Sequence, residues 1–252
     1  MLSRRALVSC ALATAACAPI AEAAEPTLSA VVARHTKARG GAAAIDAINS
    51  ERAEIAIEEN GSTLNGIYQC GKEPFWRIDV YDGSKHVFCE GLDGAGPWLW
   101  PQKALQARDA VPDAKRTGLQ GIEFNMYGLH RFSERGHRLS LDGREAADGT
   151  NYFVIHVLMK DAYETYLLIN PATWLIDRRR DFRAFHPDYD ATRKMIDKRY
   201  SDYRSVAGVQ TAFVEQQYDM ATGKLVNASR VKEMAYNYSH SPQRTGRSFR
   251  PA

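Results

Sequence analysis

Cysteine is scarce in this chain. There are four, and two of them, Cys10 and Cys17, fall within the first two dozen residues. The other two, Cys70 and Cys89, are spaced too widely for a CxxC redox motif or a zinc knuckle. Long apolar runs are missing as well. The run over 6–18 is too short to cross a bilayer as a helix, and no other segment is long and apolar enough to do so. Charge of one sign is missing too. Lys+Arg 33 against Asp+Glu 30 leaves +3, which excludes the strongly basic face that nucleic acid requires. Motifs of the GxSxG, HExxH and phosphate-loop kinds are absent. The chain is therefore expected to be non-catalytic and to need no cofactor.

The first residues form an export pattern. Arg4 and Arg5 precede the apolar run, and Ala21, Ala23 and Ala24 supply a small-x-small cleavage site. A secretory signal over 1–24 is expected, with the mature protein in the periplasm. Residues 3–8 also resemble a twin-arginine signal. A lipid anchor is the lesser alternative: too few residues precede Cys10 for a lipoprotein box, and Cys17 lacks the large apolar residue usual three places before it. The remaining length, about 228 residues, suits one β domain over 25–238, followed by a loose tail over 239–252.

An exported chain meets an oxidising compartment, where two leftover thiols usually pair. A Cys70–Cys89 disulfide is therefore expected, with two buried free thiols as the alternative. The difficulty is the strand between them, which places the pair near the outer limit for bridging.

Apolar periodicity predicts helices over 28–38 and 42–48, broken by Gly40 and Gly41. Strand signals follow over 53–59, 63–70, 75–81 and 86–91, then a short strand at Trp98 and Trp100. A helical stripe of Leu119, Ile122, Met126, Leu129 and Phe132 comes next, weakened by Gly118, Gly121 and Gly128. Strands resume over 137–141, 152–160, 163–170, 174–182, 193–204, 209–218 and 225–236. This order, with no break in composition, fits an α+β fold in which one curved antiparallel sheet wraps around its helices.

Alternation along the strands puts Trp76, Ile78 and Val80 on one face, with Phe153, Ile155 and Val157 on another strand and Leu167 and Ile169 on a third. With Leu129 from the lid helix, these residues are the candidate lining of an apolar cavity, where each buried methylene gains about 0.8 kcal/mol. An ordinary filled core explains the same alternation. Other chemistry is thin. His186, Asp188 and Asp190 share one loop, but turn formation by Pro187 and the aspartates explains them without a metal. His86 lies three residues from Cys89, which on a regular strand is the opposite face. Arg178, Arg179 and Arg180 are read as a solvated strand end, and no metal site is expected.

Several phrases resemble the LolA-like superfamily of periplasmic lipoprotein carriers and lipid-binding proteins. They are Ala38-Arg-Gly-Gly-Ala42 with Ile45-Asp-Ala-Ile48, and Asp142-Gly143 through Asp148-Gly149. Leu168-Ile-Asn-Pro-Ala-Thr-Trp-Leu-Ile176 and Tyr200-Ser-Asp-Tyr-Arg-Ser-Val-Ala-Gly208 complete the set. The resemblance implies an unclosed β-barrel whose helices lid an apolar cavity for acyl chains. It implies a carrier or binder of a lipid or other lipophilic molecule, with a membrane or a lipoprotein as a further partner. The alternative is an interaction or sensor module of the same fold. The chain departs from the carrier in its length, its cysteine pair and an insertion over 181–192.

Overall fold

The computed structural model describes residues 25–59, 61–101, 104–239 and 246–248. The export segment lies outside the described residues. Helices α1 (Leu28–Ala38) and α2 (Ala42–Asp46) open the fold. Six strands follow: β1 (Ser50–Glu59), β2 (Ser62–Gly71), β3 (Phe75–Asp82), β4 (Lys85–Asp93), β5 (Gly96–Trp100) and β6 (Arg108–Asp109). Helix α3 (Pro112–Met126) and a short 3-10 turn (Leu129–Arg131) interrupt the strands. The second block is β7 (Arg138–Ala147), β8 (Thr150–Leu158), β9 (Glu164–Ile169), β10 (Ile176–Ala184), β11 (Arg193–Val206), β12 (Val209–Asp219) and β13 (Leu225–Tyr236).

Each block is a meander, and β1 pairs antiparallel with β13 to join them. The result is one 13-stranded sheet in the order β6-β5-β4-β3-β2-β1-β13-β12-β11-β10-β9-β8-β7. Among the described residues β6 and β7 are its two free edges, so the curved sheet is an unclosed barrel, as the family resemblance implies.

Local chemistry explains the element ends. Thr27 caps α1 by accepting from the Ala30 amide, and His35 and Lys37 sit in its last turn, where the helix dipole favours positive charge. Ala207 and Gly208 both have positive φ and close the β11–β12 hairpin with the twist such hairpins prefer. That hairpin tip presses on the α1–α2 link. A Cβ on Gly40 would stand 2.1 Å from the Gly208 carbonyl oxygen, and the Gln210 amide donates to the Arg39 carbonyl at 2.9 Å. Two phrases that carry the family resemblance thus touch in space.

The helices cover the two flanks of the concave face. α1 and the 3-10 turn pack Val31, Leu129 and Phe132 onto Phe153, Ile155, Val157, Leu167 and Ile169. α2 and α3 pack Ile45, Ile122 and Met126 onto Cys70 and Leu92, with Trp76 and Tyr68 alongside. On the convex side Leu168 joins Tyr152 and Val154, so this part of the sheet is apolar on both faces. The lid stripe divides in two: α3 ends at Met126, the 3-10 turn carries Leu129, and Leu119 points outward at 38% exposure.

The glycine at 118 is a packing requirement rather than a weakness. A Cβ there would meet Trp76 Nε1 at 1.8 Å, whereas one on Gly121 would find only the Tyr68 hydroxyl, at 3.9 Å. α3 reaches β3 only because position 118 has no side chain.

The expected disulfide is absent, and both Cys70 and Cys89 are buried free thiols. Register gives the reason. Cys70 pairs with Trp76 and Trp76 with Leu92, so Leu92, not Cys89, lies level with Cys70. Cys70 faces inward beside Ile122 and Met126. Cys89 lies with Trp98 and Trp100 on the convex side.

Three outcomes follow from this packing. Gly118→Ala should destabilise the fold by about 1–3 kcal/mol through overpacking, while Gly121→Ala should stabilise it by up to about 1 kcal/mol. Urea unfolding of both variants checks the contrast, and equal shifts would refute the role of position 118. Titration of the unfolded, unreduced protein should find both Cys70 and Cys89 reactive.

The third outcome concerns His35, which is buried at 1% exposure with Nδ1 2.8 Å from the Trp174 carbonyl oxygen. Burial, and then Arg39, lower its pKa from 6.5 to about 4. A histidine depressed in the folded state contributes full stability above 6.5 and loses it as pH falls toward 4. Wild type should lose roughly 3 kcal/mol from this group across that window, and His35→Gln should lack that component. Parallel stability–pH curves for the two proteins would contradict the assignment.

Candidate functional site

The structure separates the nine candidate lining residues into two walls. Leu129, Phe153, Ile155, Val157, Leu167 and Ile169 share the flank core under α1, and four of them are wholly buried. Trp76, Ile78 and Val80 stand across the fold on β3. Trp76 packs under α3, Ile78 is half-buried and Val80 is 7% exposed.

Between the walls lies the middle of the sheet. α3 packs against β2 to β5, and α1 lies against the 3-10 turn and β7. Neither packs extensively on β11, β12 or β13. α3 bridges this stretch instead: Asn125 donates to the Tyr68 hydroxyl at 3.0 Å on one side, and the Arg179 guanidinium lies 3.9 Å over the Phe124 ring on the other. Lys198, Tyr200, Glu215 and Ile55 line the concave face here, and all four are half-buried, Lys198 and Glu215 keeping 19% and 27% of their side chains exposed.

The concave face of these strands and of β10 beside them is charged, which the apolar pattern did not suggest. Arg179 follows Leu167 in register, so it faces inward. Its Nε donates to Thr165 Oγ1 at 3.2 Å and its guanidinium pairs with Asp181 at 3.1 Å. Asp181 also receives Arg183 at 3.1 Å. Arg183 donates onward to Gln217, Gln217 to Glu215 at 2.9 Å, and Lys198 pairs with the same Glu215 at 3.0 Å. Burial works to raise the Asp181 carboxyl, but Arg179, Arg183 and Lys198 outweigh it and hold it below its usual range. Burial also lowers the Lys198 ammonium, with Glu215 opposing. Three cations here share two carboxylates.

The segment between β10 and β11, which the sequence marks as an insertion, is a strap that reaches the first meander. Between β10 and β11 the chain crosses to the first meander, where His186 meets Glu59 at 2.9 Å and the Tyr189 ring lies 6.2 Å from Phe88. Asp188 accepts from Arg108 and from the Val111 amide, both at 3.3 Å, at the start of α3. Asp190 turns back to the Thr192 amide. His186, Asp188 and Asp190 therefore have separate partners and do not converge on one point. Beneath the strap, burial pushes the Glu90 carboxyl up to about 7.

The arginine triplet departs from its reading as a solvated strand end. Alternation sends Arg179 inward and its neighbours outward. Arg178 and Arg180 both pair with Asp197 on the convex face, at 2.9 and 3.3 Å, and Arg199 joins the same carboxylate at 3.0 Å. Arg178 and Arg179 are both buried. A run of three arginines inside a strand pattern, with Asp181 next to it, was the available signal for buried charge on both faces. Two further histidines pair with carboxylates: His130 meets Asp46 at 3.0 Å and His137 meets Glu123 at 3.3 Å.

Comparison with known proteins finds no matching family model and no matching curated sequence. Solved structures do match. A LolA superfamily protein from Nitrosomonas europaea superposes with a TM-score of 0.58 at 11% identity, covering 89% of this chain and 100% of that one. A DUF1329 family protein from Desulfovibrio piger gives a TM-score of 0.52 at 12% identity, covering 89% and 99%. At such identities the likeness is one of fold, and the chain has the LolA-like fold: an unclosed antiparallel β-barrel with helices on its concave face.

Proposed function

We propose that this protein is an exported, non-catalytic binder or carrier of a lipid or other lipophilic molecule, held in the recess between α3 and the middle of the sheet. The observation that carries this reading is the incompletely buried concave face of β11–β13 and β1, which no helix among the described residues covers closely. A folded domain normally buries such a face. Ile55, Ile78 and the Phe124 ring offer apolar walls, and the flank core of Phe153, Ile155, Val157, Leu167 and Ile169 lies beyond them. A hydrocarbon chain would lie along these walls, with any polar end at the Arg179–Lys198 seam. The LolA-like fold and the export pattern support the same reading.

The strap end of the sheet adds a second support. There Phe182 and Met195 are directly paired across β10 and β11 on the convex face, 53% and 38% exposed, and Tyr189 on the strap is 64% exposed. Such apolar side chains would suit contact with a membrane surface or a lipid-bearing partner.

A fluorescent fatty-acid probe should bind the folded wild type saturably. Ile55→Trp, which enlarges a half-buried side chain on the concave face while keeping it apolar, should weaken that binding. Ile78→Asp should abolish it, with circular dichroism to separate lost binding from lost fold, because a charge set against a hydrocarbon chain is strongly disfavoured. Absence of saturable binding to well-folded wild type, together with a tight protein partner in a pull-down, would replace this reading with that of an interaction module.

A further inference from the structure

We propose that Asp79, His86 and Cys89 form a zinc-type metal site on the convex face of the β3–β4 hairpin. One carboxylate oxygen, one imidazole nitrogen and the thiol sulfur all lie within 4.8 Å of one another. Oxygen, nitrogen and sulfur together suit a borderline cation such as Zn²⁺.

The backbone brings the three side chains together by a specific device. Asp79 pairs directly with Cys89 across the two strands, so both point to the convex face. On a regular strand His86 would point the other way, three residues from Cys89. The register shifts between Val80 and Tyr81: Val80 faces Phe88, but Tyr81 faces His86. The extra residue on β4 is Val87, and this bulge turns His86 onto the face of Cys89. Bulges commonly re-aim a side chain in this way next to functional sites. The His86 ring is steadied edge-on against Tyr81, with centroids 5.4 Å apart.

The surroundings resemble the outer shell of a metal site. Arg77 holds the Asp79 carboxylate through two 2.7 Å hydrogen bonds, from Nε to Oδ2 and from the terminal nitrogen to Oδ1. A carboxylate has about four lone-pair sites, so a metal can take one that Arg77 leaves free. Such an outer partner fixes the ligand's orientation. Arg77 in turn lies 5.4 Å over the Trp98 ring. Trp98 packs on Gly91, where a Cβ would come within 2.7 Å of its ring, and Trp98 and Trp100 enclose Cys89. The thiol is 0% exposed and Asp79 is 6% exposed, while His86 is only half-buried and leaves an approach from solvent.

The present separations exceed those around tetrahedral zinc, where ligand atoms lie about 3.3–3.8 Å apart given bonds of about 2.0–2.3 Å. His86 Nε2 stands 4.0 Å from Asp79 Oδ1, so the three ligand atoms must draw together on binding. On binding, the Cys89 sulfur releases its proton to solvent and bonds the metal as thiolate. His86 binds as the neutral ring, and a fourth position is left to water. The simpler account of these residues is an Arg77–Asp79 ion pair beside an inert buried thiol, which predicts no metal binding.

Cobalt(II) distinguishes the two accounts, because a thiolate ligand produces a sulfur-to-cobalt charge-transfer band. Chelator-stripped, reduced wild type titrated with cobalt chloride should develop that band, saturate at one metal per chain and lose it to added zinc. Cys89→Ser should abolish the band and Cys70→Ser should keep it. His86→Ala, at a half-buried position, should weaken cobalt binding by at least about tenfold, with its circular dichroism unchanged. No thiolate band in folded wild type, or a band that survives Cys89→Ser, overturns the site. If Cys89→Ser does not fold, unchanged affinity in folded His86→Ala overturns it equally.

Discussion

The structure depends on one seam, the pairing of β1 with β13. Each meander alone has a free apolar face and two open edges. Joined along this seam, from Glu51 opposite Tyr236 to Glu58 opposite Ala228, they become one surface that curves around a single interior. The seam is also the least local pairing in the molecule, since it links the first strand to the last. It carries a bulge at Glu54 and Ile55, and bulges sharpen the twist of a strand pair. The remaining edges are blunted in ways natural sheets often use. β6 has only two residues, and β7 is bulged near Asp142 and lined with charge.

A sheet that curves without closing leaves its concave face to be covered by something else. The helices here are too few and too short to cover all of it. They take the two flanks, where the inward side chains are aliphatic. The middle strands present Arg179, Asp181, Lys198 and Glu215 instead. Charges cost several kcal/mol each to bury unless paired, so the pairing is nearly complete and runs through the amide of Gln217. The interior is thus graded, from apolar core under α1, through a charged seam, to apolar core under α3. The lipid proposed above, being amphiphilic, would match such a gradient better than a purely apolar molecule.

Much of this could be read from the sequence. Helix α1 and strand β13 have the predicted bounds, and the two-block order with its insertion is correct, because period-two and period-3.6 patterns survive wherever one face is buried. The family phrases are legible for a related reason. Gly40 is needed where the α1–α2 link meets a hairpin tip, and Gly208 where that tip takes positive φ. The charged seam was not legible. Arg179 and Lys198 look like surface residues until the sheet's curvature places them inside, and curvature is a property of the whole sheet. The disulfide failed on a similar point. Two cysteines near the same end of a hairpin region satisfy the spacing argument, but the parity of the register puts them on opposite faces.

Parity is where reading by alternation breaks down, and bulges are what break it. A pattern of period two assigns every residue of a strand to a face, and one extra residue reverses the assignment for everything beyond it. Nothing in the composition around Val87 marks an insertion, yet it moves His86 from the face opposite Cys89 to the same face. Arg178, Arg179 and Arg180 show the rule intact. Strict alternation splits them between two networks, one around Asp197 and one around Asp181. The same chemistry of charged side chains on a strand therefore yields structural pairing where the register is regular. Where it is bulged, the outcome is a convergence of unlike ligands. Regular pairing can be explained by burial alone. The bulge at Val87 that brings an imidazole to the face of a buried thiol and a held carboxylate is the feature on which the proposed metal site rests.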